Sequence, residues 1–227
     1  MEDTFFVHLN AENNSNGGSE TVVKKSIWPS LIMSIRWILS GSFPIDYRIS
    51  SGVGVMINNG LAIIIEGFVS DIINVEREKK MASKDASTPA FEAGTWESKK
   101  KKYETTFNVK MKNYKDYDAI VILFLLRNNI AHGKAHVEIS GHGDGSTIQS
   151  KDDKYQEVRK YLTSNKMLVP GKRISNVEDL FDIPKAIFFL YKVRSFLDGL
   201  IADKPNDAGF EFIKSQLEHA FQIPFQR

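Results

Sequence analysis

The chain has 227 residues, of which 42% are hydrophobic, and this is enough apolar material to bury the core of one sizeable domain. It contains no cysteine, which excludes disulfides, thiolate nucleophiles and cysteine-ligated zinc or iron–sulfur sites. The formal net charge of +2 is too small to indicate a nucleic-acid partner by itself, because a local basic surface matters more than the total.

The N-terminal part of the chain is polar. Residues 10–20 read Asn-Ala-Glu-Asn-Asn-Ser-Asn-Gly-Gly-Ser-Glu and carry no apolar period, which is typical of a loop. We therefore expect residues 1–20 to form a flexible lead and residues 21–227 to form a single helical domain. The longest apolar runs contain charges or fall short of the ~20 residues that a membrane span needs. A soluble, cytoplasmic protein without a membrane partner is expected.

Most of the remaining chain shows the three- and four-residue apolar spacing of amphipathic helices. Little of it reads as strand, apart from a short pair at 107–109 and 136–140. The predicted class is therefore all-α. The predicted helices cover residues 22–39, 53–81, 114–132, 153–164, 177–202 and 207–221.

A long insertion is predicted between the second and third of these helices. Residues 82–112 contain Pro, Gly, Ser and Thr and are expected to form a loop that is partly helical around 96–103. Between Lys99 and Lys115 there are seven lysines against one acid, Glu104, with aromatic residues interleaved. Such a run can contact phosphates and stacked bases of RNA, and it also fits a solvated surface loop. The RNA-binding candidates are Lys99, Lys100, Lys101 and Lys102.

The most informative segment follows this insertion. The apolar run Ala119–Leu126 is predicted to be a buried helix, yet it ends in Arg127-Asn128-Asn129-Ile130-Ala131-His132-Gly133-Lys134. An ideal helix places Arg127 and His132 about 140° apart around the axis, whereas Asn128 and His132 share a face. The pattern therefore puts a permanent cation and a titratable imidazole where a core helix meets solvent.

The pattern Arg127-Asn128-x3-His132 resembles the signature of the HEPN superfamily, the higher eukaryotes and prokaryotes nucleotide-binding domains. The resemblance covers about ten residues. It implies an all-α helical bundle, here with a long lysine-rich insertion, and a homodimer with a composite active site. It also implies RNA as the substrate and a metal-independent endoribonuclease of the toxin–antitoxin or phage-defence type. An antitoxin protein would then be a further partner.

The chemistry of Arg127 and His132 fits a metal-independent ribonuclease. Metal-free RNA hydrolysis needs a group that accepts the 2′-OH proton, a group that protonates the departing 5′-oxygen, and positive charge on the phosphate. His132 titrates near neutral pH, and Arg127 can bind phosphate oxygens in a bidentate fork. These two residues are the predicted catalytic pair.

Three further residues are predicted to support this pair. Asn128 can orient the imidazole or hold phosphate, and its place in the family's pattern favours this role over the alternative, capping of the helix end. Glu66 interrupts the apolar run Leu61–Ile65 and lies on the polar side of the second helix; HEPN-like domains often place a polar or acidic residue opposite the Arg-His motif, and a stripe that faces water is the alternative. Lys134 is a further RNA-binding candidate beside the motif.

Two rival interpretations remain open. His132, His136, His142 and Asp144 have a spacing that can hold a metal, but Gly133 interrupts the helix, so no metal or other cofactor is predicted. The fold can also serve a non-catalytic module that binds nucleotides, RNA or a protein partner, because a fold does not fix an activity.

Overall fold

The computed structural model describes residues 7–8, 23–24, 26–41, 47–82, 94–131, 138–140, 147–149, 155–169 and 180–222. Within these residues the protein is helical, as the sequence predicted. Its helices are α1 (Trp28–Ser40), α2 (Tyr47–Ala82), α3 (Trp96–Phe107), α4 (Tyr117–Ala131), α5 (Gln156–Ser164), α6 (Ile183–Ala202) and α7 (Ala208–Gln222), with a 3₁₀ turn at Met111–Asn113.

Two short antiparallel pairs accompany the helices in the described part of the chain. Strand β1 (Val7–His8) pairs with β2 (Val23–Lys24), and β3 (Glu138–Ser140) pairs with β4 (Thr147–Gln149). The predicted pairing of 107–109 with 136–140 is therefore wrong. Phe107 ends α3, and Asn108 caps that helix in the left-handed conformation, with φ 52°. Phe107, whose β-propensity favoured a strand, is therefore the last residue of a helix, and Asn108 is the cap of that helix.

The insertion expected at 82–112 contains helix α3, which extends the helical part predicted around 96–103 to Phe107. Thr95 caps its N-terminus by accepting a hydrogen bond from the backbone N–H of Ser98. Trp96 and Tyr103 are buried, at 6% and 0% exposure. The burial of two aromatic residues makes α3 a part of the core rather than a solvated loop.

The chain divides into two compact units. The first unit contains Met1–Ile38, Ile63–Met111 and Leu197–Gln226, and the second contains Leu39–Ala62, Lys112–Phe196 and Arg227. The boundaries between the two units therefore fall within α1, α2 and α6 and after the first residue of the 3₁₀ turn. The prediction of a single domain at 21–227 stays a prediction.

In the first unit, α1 is fixed to α2 and α7 by polar contacts at both of its ends. The carboxylate of Asp71 accepts hydrogen bonds from the Ser26 hydroxyl and, at 2.7 Å, from the indole N–H of Trp28. At the other end, Arg36 donates to the carbonyl oxygen of Ala220 at 2.6 Å. These bonds satisfy polar groups that the apolar core would otherwise leave without partners.

Asp207 begins α7 and ties it to α2. Its carboxylate accepts hydrogen bonds from the backbone N–H groups of Gly209 and Phe210, each at 3.2 Å, and pairs with the ammonium of Lys79. Burial raises the pKa of Asp207, but Lys79 and the two N–H groups outweigh burial and hold this pKa below its ordinary value. The helix cap is therefore anionic in the folded protein.

Replacing Asp207 by Ala is expected to lower the free energy of unfolding by about 1 to 2 kcal/mol at neutral pH, because the cap and the Lys79 pair are lost together. A carboxyl whose folded-state pKa is lowered contributes stability above its unfolded pKa and loses it as the pH falls through the folded pKa. Urea unfolding should therefore show wild type and variant converging below roughly pH 4. A difference that is independent of pH, or as large for the exposed control Glu218→Ala, would contradict this assignment.

Lys204 lies in the turn between α6 and α7 and is only 9% exposed. Its ammonium stands over two aromatic rings of α3, 4.0 Å from the ring centre of Phe107 and 4.8 Å from that of Tyr103. Burial lowers the pKa of Lys204 to about 8, although the negative charges of Asp203 and Glu76 oppose this shift. No ion pair holds this ammonium among the residues that the structure describes.

Replacing Lys204 by Met is expected to raise the free energy of unfolding by about 1 to 2 kcal/mol at pH 7, because a desolvated charge is exchanged for an apolar side chain of similar length. The folded-state pKa lies below the unfolded one, so the wild-type protein gains stability as the pH rises from about 8 to 10.5. Urea unfolding curves should therefore show that the excess stability of Lys204→Met over wild type decreases between pH 8 and pH 10.5.

The matched control is Lys79→Met. Lys79 also stands over a ring, 3.9 Å from the centre of Phe210, but it is paired with Asp207, so its loss should destabilise. A Lys204→Met protein that is less stable than wild type at pH 7 would show that the two ring contacts outweigh the cost of burying the charge.

In the second unit, an ion pair fixes the start of α4 to α6. The carboxylate of Asp116, a residue with φ 63°, pairs with the ammonium of Lys192 at 2.7 Å. Burial raises the pKa of Asp116, but the hydrogen bonds of Lys192 and Ser195 and the charges of Lys192 and Lys115 outweigh it and lower this pKa. The pairing of Asp116 with Lys192 therefore fixes the residue just before α4 against α6. We call α4 the motif helix because it carries Arg127 and Asn128.

Helix α2 approaches the start of α6 closely in the same unit. A Cβ atom on Gly54 would overlap the backbone carbonyl of Phe181, two residues before α6 begins, whereas one on Gly52 would meet nothing within 4 Å. Gly54 therefore allows a backbone-to-backbone approach that no other residue type permits.

Among the residues that the structure describes, one helix is long and apolar enough to cross a membrane by length and composition. The stretch is Ser50–Lys80 of α2, and half of its most apolar window is buried inside the protein. Core helices of soluble proteins meet the same criterion, and this stretch contains four carboxylates, those of Glu66, Asp71, Glu76 and Glu78.

Candidate functional site

The motif helix α4 is buried on most of its circumference. Its buried residues are Ala119, Ile120, Ile122, Leu123, Phe124, Leu126 and Asn129. This confirms the prediction that the apolar run sits in the core. The helix begins at Tyr117 and ends at Ala131, one residue before His132.

The last two turns of the helix keep one face buried and present the other face to solvent. Leu126 is fully buried, Arg127 is partly exposed, and Asn128 is exposed. Asn128 continues an outward face that also carries Val121, which is 41% exposed. A polar and a cationic side chain therefore stand at the solvent boundary of a rigid helix, which is where a site can reach a large substrate.

The structure describes Arg127 and Asn128, but His132 and Lys134 lie outside the described residues. The catalytic pair and the Lys134 candidate stay predictions.

Asn129 is a residue that the sequence analysis missed. It is 1% exposed, whereas its neighbour Asn128 is exposed. The signal was available in the spacing, because Ile122, Leu126 and Asn129 follow one another at four and three residues on the buried face. The amide of Asn129 is therefore a polar group inside the core, in the last full turn of the motif helix.

Glu66 takes part in an ion pair with one of the RNA-binding candidates. Its carboxylate lies 3.6 Å from the ammonium of Lys99, and the two side chains are 17% and 14% exposed. Both residues belong to the first unit, whereas Arg127 belongs to the second. The structure thus brings together two residues to which the sequence assigned separate roles, and it gives them a shared role in holding α3 against α2.

The four consecutive lysines of α3 do not form one stripe. Successive residues of a helix point about 100° apart, so Lys99 to Lys102 surround the axis. Lys100 lies 3.0 Å from the carboxylate of Glu97, and Lys101 is exposed. Lys101 is therefore the exposed lysine of this run, Lys100 and Lys102 are half-buried, and Lys99 is the one held against Glu66.

Among the described residues, no group of three or more His, Asp or Glu side chains could hold a metal ion. The rival metal set His132, His136, His142 and Asp144 lies outside the described residues.

No protein-family model, no curated protein and no solved structure matches this chain.

Proposed function

We propose that this chain is a metal-independent endoribonuclease, a HEPN-like helical protein in which Arg127 and His132 act on the scissile phosphate. The observation that carries the proposal is the pattern Arg127-Asn128-x3-His132, whose first two residues lie at the solvent boundary of the core helix α4. A helix with a buried face holds Arg127 in place, and this lowers the entropic cost of orienting a substrate.

The chemistry divides between two side chains. The guanidinium of Arg127 binds two oxygens of the scissile phosphate and offsets the negative charge that grows on it. His132 exchanges a proton with the 2′-OH or with the departing 5′-oxygen. Attack by the 2′-OH leaves a 2′,3′-cyclic phosphate on one product and a 5′-hydroxyl on the other.

One imidazole cannot be acid and base at the same moment. A homodimer with a two-fold axis near the ends of two α4 helices supplies a second His132 and a second Arg127 to the same phosphate.

Three lysines of α3 are proposed to guide RNA. Lys100, Lys101 and Lys102 place positive charge near the aromatic residue Tyr103, although this ring itself is buried. Lys99 is left out of this group because its side chain is only 14% exposed and holds α3 against α2 through Glu66. These lysines would bind the phosphate backbone without reading sequence.

The same lysines favour a second candidate, a non-catalytic module that binds RNA or a nucleotide. Phosphate binding by Lys100, Lys101 and Lys102 does not depend on His132. A His132→Ala variant separates the two functions, because the ribonuclease loses cleavage and keeps RNA binding, whereas the module has no cleavage to lose.

The proposed setting is the cytoplasm, where a toxin–antitoxin or phage-defence ribonuclease meets its RNA. An antitoxin protein is the proposed partner that keeps such an activity in check.

The test uses three oligonucleotides of one sequence, made of RNA, of DNA and of 2′-O-methyl RNA. The proposal predicts that wild-type protein cleaves only the RNA and leaves 2′,3′-cyclic phosphate ends, detected by mass spectrometry. Cleavage of the DNA or of the 2′-O-methyl strand would overturn it, because neither carries the 2′-OH nucleophile.

A further inference from the structure

Arg77 is a partly desolvated cation without an anionic partner in the described part of the chain. It lies in the second half of α2, is half-buried, and its Nε is buried without a hydrogen-bond partner. Its guanidinium makes no ion pair with any residue that the structure describes, whereas Lys79 and Lys80 of the same helix pair with Asp207 and Glu76. An unpaired, half-buried cation costs free energy, and an external anion would offset that cost.

Asn74 places a second hydrogen-bond donor beside Arg77, because residues three apart are neighbours on a helix surface. Its amide is half-buried and makes no side-chain hydrogen bond within the described ranges. Ser70, one turn earlier, already donates its hydroxyl to the carbonyl oxygen of Glu66 at 2.6 Å. Two adjacent donors of α2, one charged and one neutral, are therefore available to a ligand.

The lysine-rich helix α3 runs alongside this half of α2, and both belong to the first unit. Near the start of α3, Lys99 lies 3.6 Å from Glu66 of α2. At the end of α3, the ring of Phe107 lies 6.3 Å from that of Phe210, and Lys79 of α2 stands over the same Phe210 ring. The two helices are therefore parallel neighbours over the stretch of α2 that contains Arg77.

The charges around Arg77 favour an anion rather than a cation. Glu76 and Glu78 flank Arg77 in the chain, but the helix turns each of them about 100° away from it. Glu76 is also engaged by two lysines. On α3, the half-buried Lys102 lies three residues after Lys99 and so on the same side of that helix.

We propose that Arg77 and Asn74 bind a backbone phosphate of RNA, an inference that rests on the proposed function for the identity of the ligand. The guanidinium donates two N–H groups to two phosphate oxygens, and the amide of Asn74 donates a third hydrogen bond. Because phosphates repeat along a strand, those next to the bound one can meet the lysines of α3. The contact fixes the position of the strand without reading its bases.

The experiment measures binding of the full-length chain to a fluorescein-labelled, single-stranded 2′-O-methyl RNA by fluorescence anisotropy at several salt concentrations. Arg77→Gln is expected to weaken binding roughly tenfold, the loss of one charged hydrogen-bonded contact. The slope of log affinity against log salt should fall by about 0.7, the value for one phosphate of a single strand. Asn74→Ala should weaken binding about threefold and leave the slope unchanged, because the amide carries no charge.

The matched control is Lys214→Gln, which removes one positive charge from an exposed side chain of the first unit. Its affinity and salt slope should equal those of wild type. The urea midpoint of Arg77→Gln should not lie below that of wild type, since the substitution removes a cation that the described chain leaves unpaired. A lower midpoint with unchanged RNA affinity would show a structural arginine and overturn the proposal.

Two further results would also overturn it. Equal losses in Arg77→Gln and Lys214→Gln would mean that any positive charge serves, and competition by a polyglutamate peptide that depends on Arg77 while RNA binding does not would indicate an acidic protein partner. The 2′-O-methyl strand cannot be cleaved, so binding is measured apart from the ribonuclease chemistry. Binding through Arg77 by a protein that cleaves no RNA would contradict the ribonuclease alone, and cleavage with wild-type RNA affinity in Arg77→Gln would contradict this site alone.

Discussion

Replacement of His132 by Ala is expected to lower the rate of RNA cleavage by about a thousandfold while the protein stays folded. A positioned acid or base contributes roughly 10² to 10⁴ to a rate, and the composite site uses His132 twice. The readout is the single-turnover rate with a labelled RNA, together with helical content and the size of the protein in solution.

Arg127→Ala should reduce cleavage to a similar extent, because the growing charge on the phosphate loses its counter-ion. Arg127→Lys should restore only part of the activity, since an ammonium keeps the charge but not the bidentate fork. Arg194→Ala is the matched control, because Arg194 is another arginine of the second unit and is exposed on α6. Equal losses at Arg127 and Arg194 would point to general phosphate binding and against a catalytic role.

Replacement of Gly54 by Ala is expected to destabilise the protein by about 3 kcal/mol or more. The added methyl group would overlap the carbonyl of Phe181, and a backbone carbonyl cannot turn aside as a flexible side chain can. Helix α2 or the start of α6 must then shift, and the fully buried residues Asn58 and Leu61 that follow on α2 would lose their packing.

Gly52→Ala is the control for this prediction. It lies on the same helix, is exposed and has free space around it, so the alanine should stabilise the helix by about 0.5 to 1 kcal/mol. Urea unfolding of the two variants should give shifts of opposite sign. A Gly54→Ala protein as stable as Gly52→Ala would contradict the close approach of α2 to Phe181.

The helices were predictable because their apolar residues recur at helical spacing. The spacing from Leu61 to Val75 located α2, and the apolar period over 177–202 located α6, which begins at Ile183. The apolar run before Arg127 was correctly predicted to be a buried helix. One sequence is enough to show this spacing, because residues three and four positions apart form the buried face of a helix.

Contacts between distant residues were not predictable in the same way. Nothing near Glu66 in the sequence indicates Lys99, and nothing near Lys204 indicates the rings of Phe107 and Tyr103. These pairs depend on how helices pack, which one sequence does not record. The lysine run could not be assigned to one surface from the sequence, because a count of charges along the chain ignores that a helix distributes them around its axis.

The central claim is that Arg127 and His132 cleave RNA without a metal, and one measurement tests it most directly. Wild-type protein and the His132→Ala and Arg127→Ala variants are each incubated with a mixed RNA substrate in excess EDTA. The account predicts cleavage by wild type and intact RNA with both folded variants. Intact RNA with all three proteins, or cleavage that persists in both variants, would contradict it.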